Sequence, residues 1–324
     1  MLQKRTLKIV LILACIFVIV LGAFFLYNNS KDNAPFNNME ESQLIEFEGK
    51  KYEKKENMET ILLMGLDKYE DSKKEGAYVN DQQSDLMMLI TIDYDKKTCN
   101  LLHINRDTMT EIERLGVTGD VADRFIGQIC LAHTYGSGGS DSNINARNAV
   151  EGLFGDLIDI NHYISMTMDG VAILNDSIGG VTVNITDDMT TADSSFVQGS
   201  TVTLGGEQAL KYVRARGSLE DDSNLARMER QKQYMEGFIN GLKNSIEGNP
   251  NFLSESMLKI SNYLESNITA NGFDELGNTL KNFEIEPIET LKGEAKQGKK
   301  YIEFYADKTE IKRFIISKLY KMVK

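Results

Sequence analysis

DLMMLITIDYDKKTCNLLHINRDT, residues 85–108, holds two apolar runs separated by a short polar turn. LMMLITID (86–93) and NLLHINRD (100–107) read as strands, and Tyr94-Asp95-Lys96-Lys97 between them reads as the turn of a hairpin. Just upstream, TILLMGLD (60–67) is a third apolar run of the length expected for a fully buried strand. Each of these runs meets a carboxylate at one end: Asp67 closes the first, Asp85 opens the second, and Asp107 closes the third beside Arg106.

Working outward, NINARNAVEGLFG (143–155) spaces Ile144, Ala149, Val150, Leu153 and Phe154 as one helix face, with Gly155 placed to stop it. HYISMTMD (162–169) reads as a strand, after which Asp169 is expected to cap the helix GVAILNDSI (170–178). Gly179-Gly180 then lead into the strand VTVNI (181–185). In EQALKYVRAR (207–216) the pattern predicts a helical turn followed by a strand, with Arg214 and Arg216 on one face. Leu225, Met228, Met235, Phe238, Ile239, Leu242 and Ile246 mark a helix of about six turns. The tail alternates further helices with the strand KKYIEFYAD (299–307) and a final amphipathic helix, EIKRFIISKLYKMV (310–323). Strands interleaved with helices predict an α/β fold: an α-β-α sandwich around a mixed central sheet.

The compartment follows from the first thirty residues. IVLILACIFVIVLGAFFLY (9–27) is uncharged and long enough to cross a hydrocarbon core of ~30 Å. Lys4, Arg5 and Lys8 precede it, so residues 1–8 are expected to stay in the cytoplasm and everything beyond residue 28 to be exported. No small-residue cleavage site follows, and the run continues apolar past Cys15, so it reads as an uncleaved single-pass anchor at the cell membrane. Residues 28–57 are polar and read as a stalk; 58–245 hold the chemistry, and 246–324 complete the same domain. Acidic residues number 48 against 36 basic ones, giving a formal charge of −12, which disfavours nucleic acid as a partner. Cys99 and Cys130 lie in apolar surroundings and read as free buried thiols. With only His103, His133 and His162, and neither CxxC nor HExxH, a zinc centre is not expected.

Against that acidity, four of the ten arginines fall between Arg214 and Arg230, in YVRARGSLEDDSNLARMERQ (212–231). A guanidinium presents a planar fork of donors that fits phosphate bidentately. Arg227 and Gln231 stand four apart on a helix and so share a face. Carboxylates at strand ends beside such forks suit a divalent cation that neutralises phosphate oxygens.

Several of these segments together, ILLMGLD (61–67), QSDLMMLITID (83–93), LLHINRDT (101–108), the span Ala132–Gly136, GLFG (152–155), DGVAILNDSIGGVTVNI (169–185), LGGEQALKYVRAR (204–216) and RMERQ (227–231), resemble the LytR-CpsA-Psr family in content and order. The resemblance implies a membrane-anchored, Mg2+-dependent transferase that moves a glycopolymer, teichoic acid or capsule-like, from a polyprenyl-pyrophosphate carrier to peptidoglycan through a phosphodiester. It implies metal contacts for Asp67 and Asp85, and pyrophosphate contacts for Arg106, Arg214, Arg216, Arg227 and Gln231, with position 83 in the same site. Arg106, Asp85 and Asp107 would form the catalytic set, the two carboxylates being the candidate general bases. Leu86, Met88, Ile90, Val150, Leu153 and Phe154 would line a tunnel for the lipid tail. Two departures stand out: Gln83 where the family usually has arginine, and Gln128 where it commonly has lysine. Both remove positive charge, so the alternative reading is a scaffold that binds the carrier lipid with little or no transfer.

Overall fold

The structure is a computed structural model that describes residues 44–67, 82–155, 157–215 and 224–323. The expected anchor (9–27) and Arg216 lie outside those residues. Among the described residues no helix is long and apolar enough to cross a membrane.

The described residues fall into two compact units that divide between Glu53 and Lys54. In the first, β1 (Ile45–Phe47) and β2 (Lys50–Lys54) pair antiparallel, Ile45 opposite Tyr52. Glu48 and Gly49 turn the hairpin at φ 51° and 73°, the pair of left-handed residues that a two-residue type I′ loop requires.

The second unit is organised by β3 (Met58–Leu66), β4 (Ser84–Asp93) and β5 (Thr98–Ile104), which run antiparallel in succession. Next come a hairpin, β6 (Met109–Leu115) with β7 (Val121–Gln128), then the short α1 (Leu131–Thr134) and α2 (Gly139–Phe154). Then β8 (His162–Thr167) lies parallel to β3 and leads into α3 (Met168–Ser177). A ribbon of β9 (Val181–Asn184) and β10 (Thr201–Leu204) precedes α4 (Gly206–Arg214) and the long α5 (Asn224–Gly248). The rest is α6 (Phe252–Ile260), β11 (Leu264–Ser266), α7 (Ala270–Leu280), β12 (Glu284–Ile285), β13 (Glu289–Thr290), the hairpin β14 (Gly293–Gln297) with β15 (Ile302–Ala306), α8 (Lys308–Leu319) and β16 (Tyr320–Met322).

The central sheet runs β11-β8-β3-β4-β5-β12, with β13 also on β5, and mixes parallel and antiparallel neighbours. Apolar residues on β3 and β4 are continuous rather than alternating because both faces are covered. On one face Ile61, Met88, Ile90 and Leu101 pack against Met235 and Ile239 of α5 and Leu276 of α7. Leu62, Met64, Met87 and Leu89, each at 0% exposure, point the other way, where β4 meets α1 and α8 and β8 meets α2. This is the mixed, helix-covered sheet that the sequence predicts.

Several local expectations change. Arg214 ends a helix rather than lying on a strand, because Ala209, Leu210 and Tyr212 bury at helical spacing and carry α4 through to Arg214. Thr167, not Asp169, occupies the N-cap of α3, and Asp169 falls in its first turn. The last helix begins earlier, at Lys308, since the Asp307 carboxylate accepts from the N–H groups of Thr309 and Glu310; it ends at Leu319, before a strand. Cys99 and Cys130 are free and buried, as expected.

His103, on β5 opposite Met88, is 1% exposed and its Nδ1 has no hydrogen-bond partner. Burial, helped by the cationic Arg227 and Lys232, pushes its pKa down to about 4. The unfolded chain therefore takes up a proton near pH 6.5 that the folded chain refuses until near pH 4. Stability from this group is complete above pH ~6.5 and is lost as pH falls toward 4, by about 3 kcal/mol. Replacing His103 with Met should flatten that part of the profile, read as urea midpoints across the same window; an unchanged slope would show that another group sets it.

Candidate active site

The register of the β4–β5 hairpin builds the first half of the site. Met87 pairs with Ile104, and the same register carried past that pair sets Asp85 opposite Arg106. Arg106 Nη1 donates to Asp85 Oδ1, while Arg227 Nη1, from the first turn of α5, lies 3.3 Å from Asp85 Oδ2. One carboxylate thus holds two guanidiniums from segments far apart in the chain. Arg106 also donates through Nη2 to Gln83 Oε1 at 2.5 Å and to Cys130 Sγ at 3.5 Å, and its Nε is 3.7 Å from Asp107 Oδ1. Burial opposes its charge, but Cys130, Asp85 and Asp107 outweigh burial and raise its pKa further, so it is a permanent cation. Burial likewise pushes the Cys130 thiol up to about 11, which keeps it protonated at neutral pH.

Arg214 forms the other half. At the last residue of α4, its Nη2 is 3.2 Å from Asp67 Oδ1, just past β3. Asp67 in turn gives its N–H to the Gln83 carbonyl at 3.0 Å. Two side chains of α5 grip the backbone on either side of Arg214. Gln231 Nε2 reaches the Val213 carbonyl at 3.4 Å, and Arg230 Nη2 donates to the carbonyl of Ala215. Arg230 is 3% exposed, with Asp187 3.8 Å from its Nη1. Burial pulls its pKa below the ordinary guanidinium value, against Tyr212 and Asp187, which raise it.

Asp107 is held from the opposite side. The Gln128 amide donates both to Asp107 Oδ1 and to the Ile302 carbonyl, each at 2.9 Å. Phe304 adds its N–H to the Asp107 carbonyl at 2.9 Å, which ties β15 to the same loop.

Below the guanidiniums the site turns apolar. A cavity of about 140 Å³ has Asp85, Arg214, Arg227 and Gln231 in its wall, with Leu86, Val171 and Tyr234 among its apolar lining. A second, of about 240 Å³, is lined almost wholly by hydrocarbon from the sheet and from α5, α6 and α7. Leu63, Met166, Leu174, Met235 and Phe238 line both, so the two abut.

Of the predicted residues, Asp67, Asp85, Arg106, Arg214, Arg227, Gln231 and Gln83 come together here, and Asp107 adjoins them through Arg106. Leu86 lines the first cavity and Ile90 the second, while Met88 is buried on the same sheet face. Val150, Leu153 and Phe154 line neither cavity. They belong to α2, which packs with α1, β6 and α8, because Gly139–Phe154 lies on the other side of the sheet. Among the described residues no group of three or more His, Cys, Asp or Glu could hold a metal by itself. The sequence marks Arg230 only as one of a cluster of arginines, Cys130 only as a buried thiol and Gln128 only as a missing charge; the bonds the three make are not legible in it.

The profile of the LytR_cpsA_psr family matches residues 23–317. The chain is 31% identical over 180 residues to a polyisoprenyl-teichoic acid–peptidoglycan teichoic acid transferase TagU of Enterococcus faecalis, covering 56% of this chain and 52% of that protein. A protein of the same name from Oceanobacillus iheyensis is 28% identical over 242 residues, 71% of this chain and 67% of the relative. The chain thus spans about half the length of the first of these relatives. Among solved structures, TagV of B. subtilis shares the fold with a TM-score of 0.62 at 24% identity, over 82% of this chain and 98% of that one.

Replacing Arg230 with Met removes a donor to the Ala215 carbonyl and should destabilise the protein by about 1–3 kcal/mol, read from urea unfolding. Unchanged stability would mean that the end of α4 is held by something else.

Proposed function

The chain belongs to the LytR_cpsA_psr family, and on that premise we propose that it is an extracytoplasmic phosphotransferase, anchored by a helix over residues 9–27, that moves a glycopolymer from a polyprenyl-pyrophosphate carrier onto peptidoglycan. The polymer is of teichoic-acid or capsule type. One observation carries the reading: a carboxylate gripped by Arg106 and Arg227 stands in the wall of a cavity whose lining is mostly apolar. Guanidiniums above hydrocarbon suit a donor that joins an anionic head to an apolar tail. The abutting second cavity gives that tail somewhere to go.

In the reaction an acceptor hydroxyl of peptidoglycan attacks the phosphorus that bears the glycan. A new O–P bond forms as the bridging O–P bond to the lipid phosphate breaks. The bonding pair leaves with polyprenyl phosphate, and the hydroxyl proton passes to a carboxylate, Asp85 or Asp107 by position. Arg106, Arg214 and Arg227 bind the phosphate oxygens and stabilise the charge that builds on the leaving group; Arg216 and Gln231 extend that set. Asp67 and Asp85 are both paired with arginines, and phosphates would compete for the same guanidiniums. Their donor set fits Mg2+, which takes one or two carboxylates and fills its shell with phosphate and water. Bound there, the ion would neutralise phosphate oxygens.

Full-length protein in detergent, given a carrier-linked glycan, peptidoglycan and Mg2+, should form linked product and release polyprenyl phosphate. Arg106→Ala or Arg227→Ala should slow transfer by about 10²–10³-fold, the usual loss for a donor to transition-state charge. Chelating the metal should stop it. Leu174→Trp, in the wall shared by the two cavities, should raise the KM for a long-chain donor more than for a short-chain one. Absence of product above a no-protein control would overturn transfer and leave the carrier-binding scaffold.

A further inference from the structure

Gln83 stands where the resemblance leads one to expect a cation, and its contacts assign it a different task. We propose that Gln83 is a positioning residue that orients Arg106 through its side-chain carbonyl, so that this position requires an acceptor rather than a cation. The kinetic consequence rests on the transfer reading above; the contact itself does not.

Gln83 immediately precedes β4 and uses two acceptors at once. Its main-chain oxygen takes the Asp67 N–H at 3.0 Å, and its Oε1 takes Arg106 Nη2 at 2.5 Å. A guanidinium has donors only, so the amide must turn its oxygen toward it. One residue therefore ties the carboxylate that pairs with Arg214 to the arginine that pairs with Asp85. Backbone bonds brace the same corner: Ser84 N–H to the Cys130 carbonyl at 3.1 Å, and Cys130 N–H to the Arg106 carbonyl at 3.2 Å.

Arginine at position 83 would offer Arg106 no acceptor in place of that carbonyl. Nor could it turn to Asp85 without competition, because Oδ1 is bonded to Arg106 and Oδ2 faces Arg227. A second guanidinium would then stand where Arg106 now has an acceptor. Added positive charge should thus harm this chain, the opposite of what a simple shortage of cations predicts.

The experiment compares Gln83→Ala, Gln83→Glu and Gln83→Arg in the full-length protein, with the carrier-linked donor and peptidoglycan. Loss of a hydrogen bond to a charged group corresponds to about 10- to 100-fold. Gln83→Ala should lose that much in kcat while donor KM changes by about 2-fold or less. Gln83→Glu, which keeps an oxygen at the same reach, should recover to within about 3-fold of the parent. Gln83→Arg should fall at least as far as Gln83→Ala. A rate above the parent for Gln83→Arg, or an unchanged rate for Gln83→Ala, overturns the proposal. A double-mutant cycle of Gln83→Ala with Arg106→Met, read by urea unfolding, tests the contact without any turnover. Non-additive losses support it even if the parent transfers nothing, and additive losses overturn it even if the parent is active.

Discussion

Two guanidiniums share a half-buried corner only if something negative stands between them, and here Asp85 does so. Arg106 arrives from the end of β5 and Arg227 from the first turn of α5. Without the carboxylate each would be a desolvated cation facing another, an arrangement that burial penalises heavily. The pair is therefore set by the antiparallel register of β4 and β5, which delivers Asp85 and Arg106 to the same end of the sheet. A second ion pair, Asp67 with Arg214, repeats the device at the end of β3. Charge is thus concentrated where strands end, and hydrocarbon lies beneath where they run on.

Much of this was legible in the string because buried strands and amphipathic helices leave strong periodic marks. The runs at 60–67, 86–93 and 100–107 read as strands from their length and apolar content, and α5 shows its apolar stripe along most of its length. What stayed hidden has physical causes too. β6 and β7 lie against the unit with their outer sides wet, so MTEIERL and VADRFIGQ carry too few apolar residues to announce a hairpin. Arg214 reads as a strand residue yet ends a helix, because alternating arginines in the string outweigh the quieter helical spacing of Ala209, Leu210 and Tyr212, which the fold buries.

The tunnel residues teach a similar lesson about sidedness. Leu86, Met88 and Ile90 alternate along β4 and so had to share a face. Val150, Leu153 and Phe154 form an equally good stripe on α2, but a stripe does not say which side of the sheet its helix will cover. That choice depends on how the chain crosses between strands. The neutral residues at 83 and 128 were visible as departures, yet a sequence records only the charge they lack, not the bonds they make.

One amide, Gln128, is bonded to the Asp107 carboxylate and to the backbone of β15 at once. The Phe304–Asp107 backbone bond adds a second rivet to the same seam. The loop carrying Asp107 and the C-terminal hairpin are therefore stitched together at the carboxylate, although the two are separated by nearly two hundred positions of chain.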